Sequence, residues 1–296
     1  ALSAVSAEGA LKNLRAEAAG KSFEQLLSEA QDAWEKELSC IDISGTEDQK
    51  KMFYTSLYHT MINPSIYMDV DGSYRGLDHG IHKAEGFNNY TVFSLWDTYR
   101  AEHPFLTLMK PEQEKDMVES MIAHYEQSVH GMLPIWSHMA NDNWCMTGYH
   151  AVSVLADAIV KGLDIDKEKA FEAMVSTSNV EWYQGLGEYI KYGYVPDEAS
   201  KTSASNTLEY SYDDWTIHNA AWNTGNREVA KKYLKRALYY RNIYDPSIGF
   251  ARPRHTDGSF RENFDVKQTV GQGFIEGNSL NFSFHAPHDV YGMMEL

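Results

Sequence analysis

The chain has 296 residues, of which 43% are hydrophobic, and a formal net charge of -16. This composition supports a large core and excludes a disordered chain, while the acidic balance excludes a basic nucleic-acid-binding footprint and attraction to an anionic membrane surface. No run of about 18 apolar residues is present, so no membrane insertion is expected. The two cysteines exclude a disulfide framework but leave one bridge open.

The N-terminal region is predicted to be helical. Residues 1–21 are expected to form a helical lead-in. Ser22 and Thr46, each followed three residues later by glutamine, are capping boxes that mark helix starts. They predict two helices that pair across a short break at Gly45. The first should have an apolar side, formed by Phe23, Leu26, Leu27, Ala30, Trp34 and Leu38.

A long excursion over residues 65–90 follows these helices. Asp71-Gly72 predicts a hairpin turn between short strands at 66–70 and 73–75. Long ordered loops are often functional, so we expect this excursion to lie at the functional end of the domain.

Helical patterns fill most of the remaining chain. The stretch 93–109 is apolar and should be kinked or split at Pro104, and Pro111 should begin the next helix. Further helices are predicted at 145–162, 167–178, 180–190, 206–223 and 226–240. About nine helices with alternately short and long connections indicate an all-α fold over residues 22–296. We expect an α/α toroid whose long loops and short β-hairpin build a pocket.

The strongest candidate for chemistry is the stretch 271–289. It places Glu276 between glycines and the apolar residues Phe274, Ile275 and Phe282. Lost solvation raises the pKa of a carboxyl, which is how a general acid keeps its proton near neutral pH. The alternative is a turn residue bonded to its own backbone.

A second candidate is the pair Trp96-Asp97. An aspartate on an apolar helix is costly to bury unless it is bonded. It is expected either to grip ligand hydroxyls beside a stacking tryptophan or to form an ion pair with Arg100.

Two other polar groups are weaker candidates. Residues 141–144 (Asn-Asp-Asn-Trp) offer donors, acceptors and a ring, but Asp142 or Asn143 is more simply a helix cap. Glu209, Asp213 and Asp214 share a helix face, where they would hold a cation, act as bases or form a solvated face or cap network. The histidine spacings match no metal motif, so no transition metal is expected. What remains is carboxylate chemistry in an aromatic-rich pocket, for which glycosidic hydrolysis is a leading candidate.

The motifs FSLWDTYRAEHPFLTLMKPE, MANDNWCMTGYHAV, TLEYSYDDW and EGNSLNFSFHAPHDV resemble the catalytic domain of glycoside hydrolase family 92, the bacterial exo-acting α-mannosidases. The resemblance implies a β-sandwich followed by an (α/α)6 toroid that is incomplete in this chain, an inverting mechanism and a need for calcium. By the same resemblance Glu276 matches the general acid, and Trp96 and Asp97 match residues that contact the terminal mannose. Mannose-containing glycans, with α-1,2 linkages, are the implied substrates, and a periplasmic, secreted or cell-surface location is implied.

The sequence also departs from the family pattern. No counterpart of the general base, of the calcium ligands or of the β-sandwich is found, so the isolated piece is expected to be inactive. Two alternatives stay open, which are a non-catalytic carbohydrate-binding toroid and another toroid enzyme such as a glucosidase or polysaccharide lyase.

Overall fold

Two capping boxes begin the first long helices, as the sequence predicts. The Ser22 hydroxyl accepts the Gln25 N–H at 3.3 Å and the Gln25 side chain accepts the Ser22 N–H at 2.8 Å. Thr46 and Gln49 make the same reciprocal pair. The computed structural model describes all 296 residues and shows a mainly α fold with a few strands of two or three residues.

The helices vary from one turn to 21 residues in length. They are α1 (Ala7–Glu17), α2 (Phe23–Leu38), α3 (Glu47–His59), α4 (Leu95–Thr98), α5 (Glu102–Met109), α6 (Pro111–Gln127), α7 (Ala151–Lys161), α8 (Lys167–Thr177), α9 (Leu186–Tyr192), α10 (Ser203–Asn223), α11 (Arg227–Ala237), α12 (Ser279–Phe282) and α13 (Val290–Met294). A 3₁₀ turn covers Tyr239–Ile243. Thirteen α-helices replace the nine predicted, because several are single turns that carry no periodic signal.

The strands form small antiparallel sheets in the connections. They are β1 (Ser65–Ile66), β2 (Ser73–Arg75), β3 (Ile81–Lys83), β4 (Tyr90–Thr91), β5 (Phe93–Ser94), β6 (Trp136–His138), β7 (Asn141–Asp142), β8 (Tyr244–Asp245) and β9 (Phe250–Ala251). The sheets are β1-β4, β2-β3, β5-β6-β7 and β8-β9. The predicted hairpin is therefore wrong in its partners: a tight turn exists at 69–73, but β2 pairs with β3 and not with residues 66–70.

The lead-in helix α1 contacts the 65–90 excursion. Asn13 donates to the Asp69 carboxylate at 2.8 Å, and the Ser3 hydroxyl donates to the same group at 2.8 Å. A domain boundary at residue 21 stays a prediction.

The stretch 93–109 is split, as predicted, but the break precedes Pro104. Helix α4 ends at Thr98, and α5 begins at Glu102, so Pro104 lies in the first turn of α5, where its missing N–H costs nothing. Pro111 is the first residue of α6, as predicted.

Helix α10 is the centre of the core. It packs against α7, α8 and α11, and residues on every side of it are buried. Much of the aromatic content is used here, since Tyr149, Tyr183, Tyr189 and Tyr210 are all fully buried. A smaller second core of nine residues joins the start of α10 to the chain beyond residue 239.

The predicted apolar side of α2 is largely exposed. No residue of α2 is buried, and Phe23, Leu27 and Trp34 remain 74%, 46% and 36% exposed. Trp34 contacts Tyr58 of α3 with ring centroids 4.6 Å apart, so the two helices touch each other at their apolar faces. Cys40 and Cys145 are both free, which closes the question of a bridge. No helix has the length and apolarity needed to span a bilayer.

Candidate active site

The segment 271–289 is anchored on the first turn of α10. The Gly273 carbonyl accepts the N–H groups of Ala204 and Ser205 at 3.0 and 3.3 Å. The Ile275 N–H donates to the Ser205 hydroxyl at 3.1 Å. These bonds use N–H groups that a helix start leaves free, so the segment takes its position directly from α10.

Two glycines of this segment are required by close packing. A Cβ on Gly273 would lie 2.3 Å from Pro253, and Gly273 has a φ of +82°. A Cβ on Gly277 would lie 2.8 Å from the Phe282 ring. The glycines therefore let the segment fold onto itself and onto Pro253.

The structure contradicts the expected environment of Glu276. Phe274 turns inward and is buried, whereas Glu276 is exposed, so the apolar neighbours do not desolvate its carboxyl. Its φ of +46° is left-handed, a conformation that costs free energy for a residue other than glycine and is found often at functional sites. Glu276 lies in a bend between the buried Phe274 and the packed Gly277.

Trp96 points to α10. Its indole N–H donates to Glu209 Oε1 at 2.9 Å, and the Arg100 guanidinium lies 4.3 Å above its ring. The ring is half-buried, so one part of it stays available to a ligand.

Asp97 points elsewhere. Its carboxylate is exposed, accepts the Ser94 hydroxyl and lines a recess of about 510 Å³ between α3 and α5. The predicted alternative of an ion pair with Arg100 is wrong, because Arg100 stacks on Trp96 and Tyr99 and its nearest carboxylate is Glu209 at 3.9 Å. The structure thus places these neighbours on two sides of one short helix.

Glu209 joins three distant parts of the chain. Besides Trp96, its carboxylate contacts His285 Nε2 at 2.8 Å and His150 Nε2 at 3.4 Å, and its side chain is fully buried. Burial by itself would raise the pKa of Glu209, but His285 and His150 outweigh it and hold this pKa well below the usual value. The carboxylate is therefore charged and permanently paired.

Asp213 and His150 form the adjoining buried pair. The His150 Nδ1–H donates to Asp213 at 2.7 Å, and Asp213 also accepts the Tyr149 N–H at 2.8 Å. His150 stacks on Tyr99 with ring centroids 4.3 Å apart. Burial would lower the pKa of His150, but the charges and hydrogen bonds of Asp213 and Glu209 raise it to about 9, so the imidazolium is charged at neutral pH.

Asp214 faces away from this group. It accepts Arg236 Nε at 2.7 Å and the hydroxyls of Tyr149 and Tyr189 at 2.9 Å each. Arg236 also donates to the Ser178 carbonyl at 3.0 Å. Both side chains are buried, so this pair ties α10 to α11 and to the end of α8. The predictions of a solvated face or a cap network for the three α10 carboxylates are both wrong.

The residues 141–144 organise a loop. Asp142 accepts the backbone N–H groups of Ile135, Trp136 and Trp144 at 2.7 to 3.0 Å. Helix α7 begins only at Ala151, so the predicted cap is wrong, and β7 lies here instead. The buried stretch predicted over 145–162 is correct for α7 itself.

The buried carboxylates do not fit a calcium site. No group of three or more His, Cys, Asp or Glu residues is arranged to hold a metal ion. Calcium requires six to eight oxygen ligands, whereas Glu209, Asp213 and Asp214 each face a histidine or an arginine. Calcium binding stays a prediction, and these three residues are not suited to be its ligands.

An aromatic recess lies along the later part of α10, and Glu209 and the three predicted site residues do not line it. It has a volume of about 420 Å³ between α5, α7 and α10. Its lining includes Tyr99, Arg100, Tyr212, Trp215 and Trp222. Aromatic faces with a few polar groups are typical of ligand recesses, and Tyr99 and Arg100 connect this one to the Glu209 contacts.

The charged His150 should make stability depend on pH. Its folded pKa of about 9 exceeds the unfolded value near 6.5, so its contribution is complete below pH 6.5 and lost as pH rises through 9. The difference between the folded and unfolded pKa values corresponds to about 3 kcal/mol of folding free energy. Thermal unfolding between pH 6 and pH 10 should show the wild type losing stability more steeply than His150→Gln. Parallel profiles for the two proteins would refute this assignment.

The sequence did not indicate His150, His285 or Arg236 as members of these clusters. The signal was the set of three carboxylates on one strongly buried helix, which requires cationic partners. The partners come from positions 60 or more residues away for both histidines, so sequence spacing could not identify them.

Comparison with known proteins agrees on one family. The family model described as "Glycosyl hydrolase family 92 catalytic domain" matches residues 9–296. The chain is similar to the family GH92 α-mannosidase BT3965 from Bacteroides thetaiotaomicron, with 45% identity and a TM-score of 0.96. That enzyme has also been solved in complex with mannoimidazole. The family GH92 inverting mannosidase BT2199 from the same organism shows 32% identity and a TM-score of 0.92.

These matches cover nearly all of the chain but a minor part of each relative. Both matches cover 99% of this chain. They cover 39% of the BT3965 chain and 41% of the BT2199 chain. A protein of Arthroderma benhamiae described as "Uncharacterized secreted glycosidase" is 24% identical over 339 residues, which cover 100% of the chain and 39% of that protein. The chain thus spans about two fifths of the length of its relatives.

Proposed function

Because the chain belongs to glycosyl hydrolase family 92, we propose that the protein hydrolyses terminal α-linked mannose from glycans. The main supporting observation is that α10 anchors both Trp96 and the segment of Glu276. Ser205 of α10 holds the residue before Glu276, and Glu209, one helical turn later, holds Trp96. Positions four apart on a helix lie about 6 Å from each other, so both anchors serve one locality.

We assign Glu276 as the general acid and Trp96 and Asp97 as contacts of the terminal mannose. The exposed Glu276 carboxyl is free to face a sugar, and a bound sugar would supply the desolvation that raises the pKa of an acid. Trp96 would offer its half-buried ring to the sugar face. Asp97 would accept sugar hydroxyls from the recess side of α4.

An inverting mechanism is part of the proposal, supported by similarity to the inverting mannosidase BT2199. Inversion requires a second carboxylate about 6.5–9.5 Å from the acid, with a water between them. Glu209, Asp213 and Asp214 do not suit that role, since each is buried and paired with a cation. We therefore assign the base to none of them.

The finer features of the family are proposed on the same basis. The mainly α arrangement, in which α10 packs on α7, α8 and α11, is compatible with an (α/α)6 toroid. We propose α-1,2-linked mannose as the preferred linkage, a calcium ion held by residues other than the three buried carboxylates, and a secreted or periplasmic location. The last is supported by similarity to a secreted glycosidase.

The test is the release of mannose from α-mannosides by the full-length gene product, with and without a chelator. We expect release that the chelator abolishes, and proton NMR should show β-mannose as the first product. Absence of mannose would defeat the proposal, and α-mannose as first product would defeat inversion.

A second function is favoured by the exposure of Glu276, because an exposed carboxylate can accept hydrogen bonds from sugar hydroxyls. It is the binding of mannosides without cleavage. Calorimetry separates the two functions, since heat of binding without product would support the second.

A further inference from the structure

We propose that Glu209 is the positioning residue that holds the sugar-contacting Trp96 and the Glu276 segment in one fixed arrangement. This inference rests on the proposed function, because it concerns how the two site residues are kept together. Glu209 itself touches no substrate in this account, and it acts through Trp96 and His285.

The geometry gives Glu209 this role because its carboxylate is the point where both site elements meet α10. The Trp96 indole N–H donates to Oε1 at 2.9 Å, and His285 Nε2 lies 2.8 Å from Oε2. One oxygen thus holds the tryptophan, and the other holds the segment nine residues after Glu276. No other side chain contacts both Trp96 and His285 through polar atoms.

The segment that carries Glu276 is held at two points on α10. Its first part is bound through Ile275 to Ser205, and its later part through His285 to Glu209. Between them, residues 276–284 form the strained turn and the single-turn helix α12. Both ends of the segment are therefore tied to the helix that also holds Trp96.

The surroundings of Glu209 keep its charge and its orientation constant. His150 lies 3.4 Å from Oε2 and is itself held by Asp213 at 2.7 Å and stacked on Tyr99. Arg100 lies 3.9 Å from Oε1 and covers the Trp96 ring. Each carboxylate oxygen of Glu209 therefore has a cationic side chain near it, which favours the charged form.

If Glu209 positions the site, its replacement should reduce sugar affinity even in protein that remains folded. Misplacement of a contact by about 1 Å can cost ~100-fold in catalysis, so removing the charge should weaken mannoimidazole binding by about 10- to 100-fold. Glu209→Gln keeps the size of the side chain but loses the attraction for His285 and His150.

The matched control is Glu114→Gln. Glu114 is also a buried glutamate paired with a histidine, since it contacts His103 Nδ1 at 2.9 and 3.0 Å with both side chains 1% exposed. It contacts neither Trp96 nor His285. We expect Glu114→Gln to lose stability comparably and to bind mannoimidazole with wild-type affinity.

The experiment is calorimetric titration of the full-length gene product with mannoimidazole, at a temperature where circular dichroism shows each variant folded. A double-mutant cycle between Glu209→Gln and Trp96→Phe should give strongly non-additive losses, because Glu209 acts through the indole N–H. Should Glu209→Gln fail to fold, His285→Gln, whose side chain is 13% exposed, tests the same anchor and should also weaken binding.

The outcomes separate the two claims. If wild type and Glu114→Gln bind mannoimidazole but Glu209→Gln and His285→Gln bind equally well, the positioning role is overturned and the proposed function stands. Additive losses in the cycle would likewise overturn it. If the wild type does not bind mannoimidazole at all, the proposed function fails and the inference fails with it.

Discussion

Replacing Glu276 with glutamine is expected to slow the hydrolysis of natural α-mannosides by about 10²- to 10⁴-fold, the range typical of a lost general acid. The poor leaving group of a glycan needs a proton as the bond breaks. An aryl mannoside with an acidic phenol releases its phenolate without this proton. The rate of its hydrolysis should therefore fall much less. The measurement is kcat/KM of Glu276→Gln for both substrate types.

Glu262→Gln provides the control for this variant. Glu262 is another exposed glutamate of the loop-rich C-terminal region, and it should tolerate the same change with full activity. Equal losses of Glu276→Gln on both substrates would contradict the acid role. Such a result would instead indicate that Glu276 contributes to binding alone.

The largest loss of stability is expected from Arg236→Met. Arg236 is the only cation that contacts the fully buried Asp214, at 2.7 Å. Burial raises the pKa of Asp214, and Arg236 opposes that rise, so without it an unpaired carboxyl would remain in the core. Breaking such a pair typically costs about 3–5 kcal/mol. Urea unfolding of the variant measures this loss.

Lys231→Met is the matched control on the same helix. Lys231 pairs with Glu228 at 2.8 Å, but both side chains are more than 70% exposed, and exposed pairs contribute less than about 1 kcal/mol. Adding Asp214→Asn to Arg236→Met should recover part of the stability, since a neutral amide needs no counter-ion. A loss below 1 kcal/mol in Arg236→Met would refute the structural role of the pair.

Local signals in the sequence predicted local structure well. The capping boxes at Ser22 and Thr46 and the N1 proline at Pro111 are all confirmed, because each depends on contacts within one helical turn. The motifs that resemble family 92 are likewise confirmed by the family match.

Predictions failed where tertiary contacts decide the environment. The neighbours of Glu276 are apolar in sequence, but the chain bends at this residue, so Phe274 is buried while Glu276 is exposed. Asp97 and Arg100 are one turn apart, yet Arg100 is attracted to Trp96, Tyr99 and Glu209 instead. Sequence periodicity gives a face of a helix and does not say which partner covers that face.

The same limit explains the carboxylates of α10. Their shared face was apparent from a spacing of four residues, but their full burial depends on His150, His285 and Arg236. Their burial was not predicted, because a buried charge is costly without a partner and the partners are distant in sequence.

A crystal structure of the full-length gene product with bound mannoimidazole tests the account most directly. It should show one Glu276 carboxyl oxygen within about 2.6–3.2 Å of the ligand, with the Trp96 ring against the same sugar and its indole N–H still on Glu209. A ligand bound elsewhere, or a Glu276 carboxyl turned to solvent while Trp96 holds the sugar, would contradict it.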